Sequence, residues 1–191
     1  MLGLGGLTFV GAKSIIRPPG GQDEERLLSA CIRCEKCYEI CPRHVIAPAH
    51  IEDGVLGMRT PTFDFSKDWC DFCEEENGGE PLCVKVCPTR ALELPDDFTP
   101  ETTLMGLAVL NEAECLAYRL IGCKYCYDAC PYEAMELDRD GRPYVIDDKC
   151  NGCGACEAVC VSLKNASISS GATERAIVVR SFQEVEEMER G

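Results

Sequence analysis

Apolar residues along this chain come in short runs. Met105-Gly-Leu-Ala-Val-Leu110 is continuous and apolar, and Arg142-Pro-Tyr-Val-Ile-Asp147 carries the β-branched and aromatic residues that favour extended backbone, so each predicts a strand. Asp140-Gly141 supplies hairpin chemistry between Glu136-Leu137 and Pro143-Tyr144. Ala91-Leu92-Glu93-Leu94 and Ala134-Met135-Glu136-Leu137, each following a Cys-Pro pair, predict one short helix apiece. Phe182, Val185 and Met188 recur on one face of a short acidic helix expected to pack on the body. The stretch from Ile51 to Lys67, with Gly54, Gly57 and Pro61, reads as an irregular crossing. The apolar start, Met1 to Val10, looks like the hydrophobic part of an export signal whose charged front is missing. No stretch approaches the roughly 20 apolar residues of a membrane span.

Cysteine changes this picture. Sixteen cysteines fall into four groups of four, with none left over: Cys31, Cys34, Cys37 and Cys41; Cys70, Cys73, Cys83 and Cys87; Cys115, Cys123, Cys126 and Cys130; Cys150, Cys153, Cys156 and Cys160. The first three groups end in Cys-Pro, while Val161 follows Cys160. In the bacterial ferredoxin run C-x2-C-x2-C-x3-C-P, three cysteines hold one [4Fe–4S] cube and the fourth ligates a neighbouring one. Four such runs predict four [4Fe–4S] clusters in two reciprocal pairs, with all sixteen cysteines as iron ligands. Zinc sites are built instead from separated Cys-x-x-Cys knuckles. Spacings this close strain most local disulfides, and buried structural cysteines do not repeat at fixed offsets.

The four motifs are an internal repeat, and the fold class it predicts is α+β: tandem or nested bacterial two-[4Fe–4S] ferredoxin-like modules with long loops. Three regions follow: an apolar N-terminal segment, 1–20; a four-cluster ferredoxin-like domain, 21–170; and a C-terminal strand and acidic helix, 171–191. Insertions from Glu74 to Leu82 and from Leu116 to Gly122 expand the second and third motifs and are expected to loop out at the surface. The pairing can be sequential or nested. The outer motifs share one compact spacing and the inner two are both expanded, which favours nesting. One cube would then take Cys31, Cys34, Cys37 and Cys160, and its neighbour Cys150, Cys153, Cys156 and Cys41. The inner pair would take Cys70, Cys73, Cys83 with Cys130, and Cys115, Cys123, Cys126 with Cys87.

With 7% aromatic residues, much of the interior must be the clusters themselves, so folding and metal binding should be one event. The net charge of −14, with each oxidised cube and its thiolates adding about −2, argues against nucleic acid as a partner. No dinucleotide fingerprint, radical-type cysteine run or Cys-x-x-Cys-His haem site is present. His44 and His50 follow the first motif as solvated or cluster-neighbouring groups, and His44 could tune a cluster through a hydrogen bond. Full thiolate ligation leaves no open iron, so the chain reads as an electron wire without catalysis of its own. The alternative is the iron–sulfur subunit of a molybdopterin oxidoreductase.

Arg17-Pro-Pro-Gly20, Cys83-Val-Lys-Val-Cys-Pro88, Met105-Gly-Leu-Ala-Val-Leu110 and Cys153-Gly-Ala-Cys-Glu-Ala-Val-Cys-Val161 together resemble the NapG/MauM ferredoxin-type proteins of nitrate respiration and methylamine utilisation. The likeness runs from about Arg17 to Ile168. It implies four [4Fe–4S] clusters, twin-arginine export in folded form, and a place beside a NapH-like polytopic quinol dehydrogenase on the periplasmic face of the inner membrane. Electrons would pass from that partner to a terminal reductase. No twin arginine stands in this sequence, which makes a cytoplasmic carrier the alternative location. The four-cluster subunits of dimethyl-sulfoxide-type molybdoenzymes are more distantly similar, and they imply nested pairing.

Overall fold

A computed structural model describes residues 15–119, 121–163 and 174–190. The apolar Met1 to Val10 segment lies outside them. Helix α1 (Glu24–Ala30) opens on Asp23, whose side chain accepts from the Arg26 amide, and carries Glu24 and Glu25 in its first turn, where the helix dipole favours acids. It buries Leu27 and stops at Cys31. Next come α2 (Lys36–Ile40), β1 (Ile46–Pro48), β2 (Pro61–Phe63), α3 (Glu74–Asn77) and α4 (Leu82–Lys85). The second half holds β3 (Leu107–Leu110), α5 (Tyr125–Ala129), β4 (Met135–Leu137), β5 (Pro143–Val145), α6 (Ala155–Ala158), β6 (Ile177–Arg180) and α7 (Phe182–Arg190).

The strands form three antiparallel pairs: β1 with β2, β3 with β6, and β4 with β5. Both predicted strands are present, as β3 and β5, and Gly141 at φ 76° turns β4 into β5 with its amide donating to the Asp138 carbonyl. The crossing from Ile51 to Lys67 is more ordered than its composition suggested, because Pro61–Phe63 pairs with Ile46–Pro48.

The predicted helices after Cys-Pro do not form. Residue three beyond the fourth cysteine is left-handed in each of the first three motifs: His44 at φ 50°, Arg90 at 54° and Glu133 at 52°. That corner ends any helical path, so Met135–Leu137 becomes β4, and Ala91 and Leu92 are buried in irregular chain. Short helices sit inside the motifs instead, where α2, α4, α5 and α6 each carry a motif's third cysteine. The insertion after Cys115 also departs from expectation, for Leu116 and Ala117 are buried rather than looped out. Helix α7 is present, with Met188 60% and Phe182 40% exposed, so its apolar face is only partly covered.

The core divides into patches that flank the cysteines. Leu27, Val45, Ile46, Phe65 and Leu92 pack with Cys41 and Cys83 in one half. Ala108, Met135 and Ile177 pack with Cys126, Cys150 and Cys156 in the other. Each large side chain so buried contributes about 1.5–3 kcal/mol. A third patch, Phe72 and Met105 with Cys153 and Ala155, joins the halves. Across that join Phe65 lies flush on Gly154, Arg175 donates to the Phe65 and Glu157 carbonyls, and the Met105 amide donates to the Asn151 carbonyl. Arg17, buried, bonds Glu24, Thr60 and the Pro61 carbonyl and so locks the start of the described chain onto β2.

Candidate iron–sulfur sites

All sixteen cysteines are free thiols. They line four cavities, four thiols to each. The first is lined by Cys31, Cys34, Cys37 and Cys87, and the second by Cys41, Cys70, Cys73 and Cys83. The third is lined by Cys115, Cys123, Cys126 and Cys160, and the fourth by Cys130, Cys150, Cys153 and Cys156. In that order the atom-free space at each, including the part open to solvent, is ≈370, ≈320, ≈330 and ≈320 Å³.

This grouping overturns the nested expectation. Cys160 stands with Cys115, Cys123 and Cys126, and Cys41 with the second motif, so each motif exchanges its fourth cysteine with its sequence neighbour. The physical reason is helix packing: α2 packs on α4 and α5 on α6, which brings consecutive motifs face to face. Likeness of spacing between motifs does not enter that contact.

Backbone conformation shapes the cavities. Left-handed residues recur within the arches: Arg33 and Glu35 in the first motif, Phe72 and Cys73 in the second, Gly152 and Gly154 in the fourth. Such alternation makes concavities lined by backbone N–H, the form that holds anions and iron–sulfur groups. Amides also reach the sulfurs directly: Ala134 to Cys130 Sγ at 3.2 Å, Leu82 to Cys73 Sγ at 3.5 Å and Ala108 to Cys150 Sγ at 3.5 Å. Two hydroxyls approach fourth cysteines, Ser162 at 3.2 Å from Cys160 Sγ and Thr89 at 3.8 Å from Cys87 Sγ. The sequence reading missed both. Their shared place, two residues beyond a motif's last cysteine, was the signal available. His44 and His50, read as solvated or cluster-neighbouring groups, are both exposed.

The electrostatics fit an iron–sulfur core. Burial, followed by the neighbouring Cys31, Cys34 and Cys87, pushes the Cys37 thiol up to about 12. Burial and then Cys115, Cys123 and Cys160 do the same to Cys126, again to about 12. Burial, then Cys73 and Cys41, raises the Cys83 thiol, and burial, then Cys153 and Cys150, raises that of Cys156. At Cys87 burial raises the thiol, but amide bonds from Leu92, Thr89 and Ala91 and the Thr89 hydroxyl outweigh it, and the result is a lowered value. The thiolate form is thus disfavoured in the protein alone, and cationic iron bound among the sulfurs would stabilise it. Among the described residues no three Cys, His, Asp or Glu side chains are placed to hold a lone metal ion.

The cavities lie in a row. Helix α2, which carries Cys37 of the first, packs on α4, which carries Cys83 of the second. The amide of Cys70, from the second, donates to the carbonyl of Cys153, from the fourth, at 2.9 Å. Cys156 of the fourth shares a core patch with Cys126 of the third. The spatial order is therefore first, second, fourth, third. A wider concavity elsewhere, lined by Ile15, Leu28, Val55, Leu56, Leu104 and Phe182 among others, has no cysteine in its lining.

The 4Fe-4S dicluster domain matches residues 30–91 and 121–163. The ferredoxin-type protein NapG of Escherichia coli is 38% identical over 159 residues, which cover 76% of this chain and 66% of that protein. The methylamine utilization ferredoxin-type protein MauM of Methylorubrum extorquens is 38% identical over 159 residues, 76% of this chain and 68% of that protein. The MauM of Methylophilus methylotrophus is 36% identical over 185 residues, 91% of this chain and 78% of that protein. The chain spans about two thirds of the length of the NapG it matches. Two matched two-cluster segments and sixteen cysteines are the complement of four [4Fe–4S] clusters. Among the described residues no helix is long and apolar enough to cross a membrane. The chain belongs to the NapG/MauM ferredoxin-type proteins, iron–sulfur electron carriers built on the 4Fe-4S dicluster domain.

Proposed function

We propose that this protein is a four-cluster wire that carries electrons from a membrane quinol dehydrogenase of the NapH type to a terminal reductase, at the periplasmic face of the inner membrane. The observation that carries the reading is the contiguous row of four thiol tetrads. Each bound cluster would supply a one-electron store. Cys31, Cys34, Cys37 and Cys87 would hold one at an end of the row, and Cys115, Cys123, Cys126 and Cys160 one at the other. Cys41, Cys70, Cys73 and Cys83, with Cys130, Cys150, Cys153 and Cys156, would hold the two between. The chain's own work is to fix those thiols, keep water from them with Leu27, Phe72, Met135 and Ile177, and present the end tetrads to partners. Cys34, in the first tetrad, is exposed, which gives that end an accessible edge. The similarity to NapG and MauM supports the quinol-linked role and the location.

The test is analytical and spectroscopic. Anaerobically purified protein should carry close to sixteen iron and sixteen sulfide per chain, as its four sets of four cysteines require. In Cys160→Ser, the signal that changes should be the one also altered by Cys123→Ser, with the signal altered by Cys34→Ser intact. Iron near eight, or a Cys160→Ser lesion shared with Cys34→Ser, sinks the assignment. Co-purification of the native protein with a polytopic quinol-oxidising partner tests the place in the chain; recovery with a molybdopterin subunit alone would refute it.

A further inference from the structure

Ser162 is 2% exposed and lines the third cavity beside Cys160. Its oxygen accepts the Ala176 backbone amide at 2.7 Å, and a backbone N–H can only donate. Cys160 Sγ lies 3.2 Å away. An iron-bound Cys160 is a thiolate and can only accept, so toward it the hydroxyl is the donor, while the Ala176 amide holds the oxygen in place. Thr89 occupies the matching place after Cys87, lines the first cavity, and stands 3.8 Å from that sulfur. The equivalent positions after Cys41 and Cys130 are Arg43 and Tyr132, neither of which is a small hydroxyl. Arg43 is committed to Asp71 and Asp68. The two hydroxyls therefore mark the two ends of the row.

We propose that the Ser162 hydroxyl donates to the Cys160 thiolate and raises the reduction potential of the cluster in the third cavity, with Thr89 acting likewise on Cys87 in the first. The inference rests on the ligand assignment above. Reduction adds one electron and no proton and breaks no bond, so the added negative charge spreads over iron and sulfur. A donor already aimed at a ligand sulfur gains strength as that charge arrives, and it favours the reduced state. Both hydroxyls act where the wire meets its partners, so each sets the driving force of a handover. A purely structural Ser162, there only to receive the Ala176 amide, would influence stability and leave the potential alone.

The experiment is a redox titration of the full holo-protein with dithionite, read by electron paramagnetic resonance. In Ser162→Ala, the signal that Cys160→Ser identifies should titrate at lower potential. Its equilibrium constant for reduction should fall by up to about tenfold, ~59 mV for one electron. The other three should hold, and Ser162→Thr should restore the wild-type value. An unchanged potential in a fully loaded Ser162→Ala protein overturns the inference and leaves the four-cluster reading standing. Iron well below sixteen in the wild-type protein is the separate failure of that reading. If Ser162→Ala does not retain its cluster, Thr89→Val applies the same criterion at the other end: a lowered potential there supports the inference, and an unmoved one overturns it.

Discussion

At the scale of single residues, the sites depend on backbone that side chains seldom tolerate. Gly154 sits at φ 85°, one residue past Cys153, and a Cβ placed on it would meet Phe65 Cδ1 at 2.1 Å. Gly141 is also left-handed, at φ 76°, yet nothing lies within 4 Å of where its Cβ would go. The two separate strain from collision. Gly154→Ala should cost about 2–4 kcal/mol, because backbone strain and overpacking add, and Gly141→Ala about 1 kcal/mol. Anaerobic denaturant unfolding measures both. Equal costs would show that the close fit of Phe65 on Gly154 does not hold the halves together.

Among the elements, β6 does more than its position near the chain end suggests. Among the described residues it is the sole partner of β3 in its sheet, and Ile177, 1% exposed, lines the third cavity while packing with Cys150 and Cys156 of the fourth. Ile177→Ala should destabilise the protein by about 2–5 kcal/mol and weaken retention of the two clusters in that half. Leu27→Ala, buried beside the first cavity, should act on the other half. Timed iron release under a chelator, followed signal by signal, distinguishes them; a uniform loss from all sites in both variants would contradict a core divided into patches. The elements also show how far the chain could be read in advance. Strands β3 and β5 and the turn at Gly141 were legible because apolar runs and Asp-Gly act locally. The helices expected after Cys-Pro were not, since the left-handed corners at His44, Arg90 and Glu133 carry no glycine to announce them.

Over the whole molecule, the buried clusters of side chains are organised around thiols, and each cavity is bounded by the same residues that make the core. Without its clusters the protein would keep four voids lined by thiols, and a core this small cannot compensate for them. Removing iron anaerobically with a chelator should therefore abolish tertiary structure together with the cluster absorbance. Near-ultraviolet circular dichroism and absorbance, recorded together, should fall in one transition. Retention of native dichroism after complete iron loss would show that the polypeptide holds its own fold.

What the sequence alone determined is the donor inventory: sixteen cysteines in four arches, and from them the nature and number of the cofactors. Ligand spacing within an arch is a matter of a few consecutive residues, so it is written in local order and survives any tertiary arrangement. Which arch lends its fourth cysteine to which was decided by the tertiary structure alone. Cys160 and Cys115 are brought to one cavity by the packing of α5 on α6, and Cys41 and Cys70 by that of α2 on α4. Contacts between elements far apart in the chain follow from which faces fit and bury apolar surface, and the resemblance of outer motif to outer motif carries no information about that fit. The placement of the Ser162 hydroxyl is of the same kind, because the Ala176 amide that holds its oxygen comes from the returning chain.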